Sequence, residues 1–204
     1  AFERRARQSG VDPRYLPAAQ RLIFDALRCP QSFGDVQLAG GFAALEQGVA
    51  EMGFLYPVPE SAHPALDDAM RRGGREFTAK RGVIRGIVDL VFVYEGKTYF
   101  LDWKSDRLPE WEEPEAKLAA HVELNYALQA KLYTLGIVRL LGVHDEASYD
   151  ARFGGLLYCF LRTMRAPGQG VVFQRPPWSD VVAWEAELRD HEEPWGYPIR
   201  PEGA

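Results

Sequence analysis

Val83 to Asp106, VIRGIVDLVFVYEGKTYFLDWKSD, is the stretch whose reading decides the fold. It holds two runs of β-branched and aromatic residues, broken at Tyr94-Glu95-Gly96-Lys97, and a glycine in such a break marks a β-hairpin. A two-residue turn at Glu95-Gly96 fixes the register and places Asp89 directly opposite Asp102. Opposed residues on a ladder have Cβ atoms ~4.5 to 5.5 Å apart, where two carboxylates repel unless a cation neutralises them. Strand alternation carries Lys104 to the face of Asp102 and turns Leu101 and Trp103 to the other.

One face thus gathers Asp89, Asp102 and Lys104. Two hard oxygen ligands suit Mg²⁺ or Mn²⁺, which keep several waters and accept phosphate oxygens. A neighbouring ammonium can orient a water or balance charge that develops on a phosphate, so the set reads as an apparatus for phosphodiester hydrolysis. The bland alternative is a strand-ending acid beside a surface ion pair. Against it, both acids sit in strongly apolar strands, where an unneutralised carboxylate is costly.

The rest of the chain sets bounds. Its 204 residues, 47% hydrophobic and 26% charged, suit one well-buried globular domain. No apolar run approaches the ~18 residues of a membrane span, and no signal peptide is visible, so no membrane partner is expected. A formal charge of -5 argues against a generally basic nucleic-acid coat; a polyanion would be held locally. Cys29 and Cys159 lie far apart and outside any CxxC, which points to a reduced, cytoplasmic setting and excludes a four-cysteine iron-sulfur cluster.

Outward from the hairpin, Met52, Phe54, Tyr56 and Val58 alternate as a neighbouring strand that Glu51 opens. Further upstream lie a helix ending before Gly10, a second helix capped at Asp12-Pro13, and a weakly patterned stretch from Gln31 to Gly48 with a short helix expected. A short helix is also expected near Pro64 to Arg72; the cations Arg71, Arg72, Arg75, Lys80, Arg81 and Arg85, clustered just before the Asp89 strand, are able to steer a phosphate backbone, though such a run is more often a solvated face.

Downstream, a helix starting at Pro114 runs to about Leu141 and carries Tyr126, Gln129 and Tyr133 on one stripe. Core packing and a polar contact beside the acids are both open readings of that stripe, since a buried amide needs partners. Strands over Leu156 to Thr163 and Val171 to Gln174, then a helix capped by Ser179, complete an α/β layer with a mixed sheet.

These residues resemble the C-terminal nuclease domain of the RecB family, within the PD-(D/E)XK nuclease superfamily. The match rests on Gly86-Ile87-Val88-Asp89-Leu90-Val91-Phe92, Leu101-Asp102-Trp103-Lys104-Ser105, Tyr126-x-x-Gln129-x-x-x-Tyr133-Thr134, Gly154-Gly155-x-x-Tyr158-x-Phe160-Leu161-Arg162, and Gly170-Val171-Val172-Phe173 with Arg175-Pro176. It spans about Glu51 to Pro176.

The resemblance implies a restriction-endonuclease-like core with Asp89, Asp102 and the Trp103 carbonyl as metal ligands and Lys104 as catalytic lysine. It also implies Gln129, Tyr133, Tyr126 and Ser105 as DNA contacts. Residues 1–50 would be an N-terminal helical segment, 51–193 the nuclease core and 194–204 a tail. The implied activity is Mg²⁺-dependent deoxyribonuclease action of the exonuclease V type, with Mn²⁺ as substitute, on DNA that is single-stranded when a helicase delivers it. Implied partners are the helicase and sister subunits of a bacterial RecBCD-type complex in recombinational repair.

Two departures stand out. The family places a metal-binding histidine on an N-terminal helix, and none here precedes His63, so this chain reads as beginning just past it, with weak metal binding and low activity expected. Asp106 stands where the family commonly has asparagine. The rival reading is a nuclease-like module that is noncatalytic and serves DNA or subunit docking.

Overall fold

The computed structural model describes residues 2–58, 82–108, 114–164 and 166–189. Two helices open it, α1 (Phe2–Gln8) and α2 (Leu16–Arg28). The Asp12 carboxylate accepts the Arg14 N–H at 2.9 Å, so the expected cap exists, but it caps a 3-10 turn, Pro13–Tyr15, that runs on into α2.

The weakly patterned stretch differs from expectation. It forms a small hairpin, β1 (Gln31–Phe33) with β2 (Val36–Leu38), and then a 3-10 turn at Phe42–Ala44. Three-residue strands are too short to display a period; what holds them is burial of Phe33, Val36, Leu38 and Phe42 on the main sheet.

That sheet has five strands: β3 (Gly48–Val58), β4 (Gly82–Tyr94), β5 (Lys97–Lys104), β6 (Phe153–Phe160) and β7 (Val171–Gln174), adjacent in that order. The β5–β6 pair is parallel and the other pairs antiparallel. A parallel pair requires a crossover, which α3 (Pro114–Leu140) and α4 (Glu146–Arg152) supply; α5 (Trp178–Arg189) follows β7. The architecture is therefore α/β, a mixed sheet flanked by helices, consistent with a PD-(D/E)XK-like core.

The β4–β5 turn is the two-residue one expected. Glu95 and Gly96 have φ of 48° and 78°, and Tyr94 pairs with Lys97. Positive φ at both central positions matches the right-handed twist of the strands. Alternation along β5 divides the core: Phe100 joins Val88, Leu156, Tyr158 and Phe160 beneath α3, while Tyr99 and Leu101 face β1 and β2 on the other side.

β6 begins three residues before the sequence signal, because Gly154 and Gly155 lie inside the strand. The Tyr99 ring lies where a Gly154 side chain would stand. Cys29 and Cys159 are free thiols, and complete burial pushes that of Cys159 well up.

The helix expected near Pro64 to Arg72, five of the six clustered cations and the 194–204 tail lie outside the described residues; Arg85 is exposed on β4. Among the described residues no helix is long and apolar enough to cross a membrane.

Candidate active site

The site forms where β4 and β5 part. Their ladder runs from Tyr94–Lys97 to Leu90–Leu101 and stops one pair short of Asp89 and Asp102. Val91 and Val88, three residues apart, both pack on the α3 side, so alternation slips by one between them. Across the strand, Glu51 has φ 54° and falls between the pairs Ala50–Leu90 and Met52–Val88. The Asp89 carboxylate consequently turns to the β5 backbone, where its Oδ2 accepts the Trp103 N–H at 2.7 Å. It replaces the ladder partner that the separating strands no longer provide. Asp89 thus reaches the peptide that follows Asp102, and the two acids are not the directly opposed pair that counting from the turn places there.

Asp102 and Lys104 face α3, as alternation requires, and both are buried. Lys104 Nζ donates to Asp102 Oδ2 at 2.7 Å. Gln129, from α3, closes on both: its Oε1 accepts from Lys104 Nζ at 2.8 Å and its Nε2 donates to Asp102 Oδ1 at 2.8 Å. Because an ammonium only donates, the amide orientation is set by the network itself. Gln129 Nε2 also donates to the Tyr133 hydroxyl at 2.9 Å, which donates in turn to the Ile87 carbonyl at 2.8 Å. Of the two open readings of the stripe, Gln129 takes the polar contact, while the Tyr133 ring packs in the core against Phe54 and Phe100.

Tyr126 lies one turn earlier. Lys104 Nζ sits 3.8 Å from its ring centroid, and the Tyr126 hydroxyl donates to Asp106 Oδ2 at 2.7 Å. Ser105 is exposed, and its carbonyl accepts from Arg162 Nε at 3.1 Å. The Trp103 side chain turns to the opposite face and meets Phe42 edge-on at 5.7 Å.

Burial dominates the electrostatics. It pushes the Asp102 carboxyl above its usual range despite the Lys104 hydrogen bond and charge, and the nearby Asp89 charge pushes the same way. Burial, then the hydrogen bond to Asp106, pushes the Tyr126 phenol up; burial does the same at Tyr133 and Tyr158.

No family model matches the chain. RecB, the RecBCD enzyme subunit of Escherichia coli K12, is 34% identical to it over 183 residues, which is 82% of this chain and 15% of that protein. The chain is RecB-type. The RecBCD enzyme subunit RecB of Haemophilus influenzae is 36% identical over 107 residues, 50% of this chain and 9% of that protein. That of Mycolicibacterium smegmatis is 27% identical over 202 residues, 91% of this chain and 18% of that protein. The RecB-type chain thus spans less than a fifth of the length of these curated relatives.

Among its described residues, no three or more His, Cys, Asp or Glu side chains gather as a metal-holding group. The donors present still suit a hard divalent cation. Asp89 Oδ1 has no hydrogen-bond partner among the described residues, and each Asp102 oxygen holds a single donor. A desolvated carboxylate is also what a cation would relieve.

Sequence reasoning gave no role here to Tyr158 or His121. Tyr158 stacks on Tyr126 at 5.4 Å, and His121 Nε2 lies 3.4 Å from Asp106 Oδ2. The available signal was positional: Tyr158 alternates with Phe160 on β6, and His121 precedes Asn125 by one turn of α3.

Proposed function

We propose that this RecB-type chain is a Mg²⁺-dependent DNA nuclease module that hydrolyses phosphodiester bonds. The observation that carries the reading is the network joining buried Lys104 and Asp102 to half-buried Gln129, with Asp89 on the adjoining peptide. Asp89, Asp102 and the Trp103 carbonyl would hold the cation, with Mn²⁺ as substitute. When bound, Mg²⁺ supplies charge neutralisation at the phosphate and polarises a water. Lys104 presents a fixed positive charge for negative charge developing on the phosphate, and Gln129 holds Asp102 and Lys104 in register. Its likeness to RecBCD enzyme subunits supports a place in a RecBCD-type complex acting in DNA recombination and repair. Helicase and sister subunits would be its partners and the bacterial cytoplasm its location. Residues 51–193 would form the nuclease core, with 1–50 as its N-terminal segment and 194–204 as a tail.

The test is cleavage of a labelled single-stranded oligonucleotide in Mg²⁺ by the wild type and by Asp102→Ala, with circular dichroism to show that both are folded. Loss of cleavage in the variant and in excess EDTA is expected; a variant that cuts at the wild-type rate refutes the assignment. A second reading, a noncatalytic DNA- or subunit-docking module, draws on the pairing of only two carboxylates among the described residues. Calorimetric titration with Mg²⁺ and Mn²⁺ separates the two, since the docking reading expects no binding.

A further inference from the structure

We infer that Gln129 and Tyr126 act as positioning residues for the Lys104 ammonium, and not as contacts to DNA. The mechanistic consequence rests on the nuclease reading; the geometry does not. An ammonium has three protons. At Lys104, Asp102 Oδ2 at 2.7 Å and Gln129 Oε1 at 2.8 Å take two, and the Tyr126 ring face at 3.8 Å receives the remaining side of the charge. Tyr158 adds a second ring at 5.1 Å. The ring quadrupole attracts the cation, and more strongly where water is excluded, as it is at this buried side chain.

The Tyr126 side chain is itself held at two points: its hydroxyl donates to Asp106 Oδ2 at 2.7 Å and its ring stacks on Tyr158 at an interplanar angle of 24°. The Tyr158 hydroxyl also donates to the Tyr126 backbone carbonyl at 3.3 Å, which ties the two residues together. Asp106, which departs from the asparagine common in the family, is thereby the anchor of the ring under the lysine. The donor inventory argues the same way. Both Gln129 N–H groups are spent on Asp102 and Tyr133, and the Tyr133 proton is spent on the Ile87 carbonyl. The Tyr126 proton is likewise spent on Asp106, so none of these side chains has a donor left for a phosphate or a base edge.

Two measurements on the full chain test this. The first is the proton shift of the Lys104 ε-methylene, assigned by its disappearance in Lys104→Met, which needs neither metal nor DNA. Aromatic ring currents should move it clearly upfield in the wild type and in Tyr126→Phe, and the displacement should shrink by more than half in Tyr126→Leu. The second is the affinity for a fluorescent single-stranded oligonucleotide in Ca²⁺ without cleavage, set beside kcat in Mg²⁺. For Gln129→Ala and Tyr126→Leu, kcat should fall by about tenfold or more while affinity stays within about twofold, since misplacing a charge costs rate and not binding. Affinity lowered tenfold with the Lys104 signal unmoved would overturn the inference. If the wild type does not cleave, the nuclease reading fails, and the Lys104 signal alone decides the positioning claim: its insensitivity to Tyr126→Leu would refute it.

Discussion

Lys104→Met removes the positive charge beside a buried carboxylate while keeping an unbranched side chain of similar length. Asp102 Oδ2 loses its 2.7 Å partner and Gln129 Oε1 loses its 2.8 Å donor, at side chains only 8% and 10% exposed for Asp102 and Lys104. Removing one member of a buried pair costs about 3 to 5 kcal/mol, because the other charge is left uncompensated. Gln129 Nε2 still donates to Asp102 Oδ1, so a loss of about 3 kcal/mol is expected at pH 8 in EDTA.

The penalty should depend on pH with a defined sign. Burial already holds the Asp102 carboxyl above its ordinary 3.8, and Lys104 pulls it down; without the lysine it rises further. A carboxyl whose folded pKa exceeds its unfolded value binds more protons in the native state between those two values, so stability falls as pH rises through that window. The variant should therefore recover toward the wild type as pH is lowered to 5, by about 1.4 kcal/mol for each unit of added shift. Urea unfolding of both proteins at pH 5 and pH 8 measures the difference directly. Asp102→Leu with Lys104→Met removes both charges but also strips Gln129 of both partners, so it should recover only part of the single variant's loss and lose the pH dependence. A single variant that loses under about 1 kcal/mol at pH 8, or the same amount at both pH values, refutes the account of a desolvated pair.

Other perturbations probe the frame that holds the site. Gly154→Ala drives a methyl group into the Tyr99 ring, which is buried and stacked on Phe92, so a loss of about 1 to 3 kcal/mol is expected by thermal unfolding. Tyr149→Phe removes the hydroxyl that donates to the Pro176 carbonyl at 2.6 Å and ties α4 to the end of β7; denaturant unfolding should show a loss of about 1 to 2 kcal/mol with an unchanged fold. Leu135→Ala opens a cavity between α3 and the sheet and should cost about 2 to 5 kcal/mol in the same assay.

The legible part of the protein is the part governed by neighbours in the chain. Glu95-Gly96 requires a tight turn, and from the turn the pairing of Tyr94 to Leu90 with Lys97 to Leu101 follows by counting. The period of a strand is local, so Asp102 and Lys104 on one face, with Leu101 and Trp103 on the other, could be read directly. The Gln31–Leu38 hairpin was not legible, since its strands are too short to show a period and owe their form to what they bury. Nor was the slip at Asp89, which arises where a long β4 leaves β5 while still paired to β3.

The sequence by itself determined two β-runs, their turn, the shared face of an acid and a lysine, and a helix with Tyr126, Gln129 and Tyr133 in one stripe. Tertiary structure alone decided that this stripe lies over that face, that one glutamine joins Asp102 to Lys104, and that a tyrosine ring anchored by Asp106 backs the ammonium. The division has a physical cause. Alternation and helical spacing are set by the backbone of adjacent residues, whereas these contacts join residues 20 to 27 positions apart and form only once packing has taken water from between them.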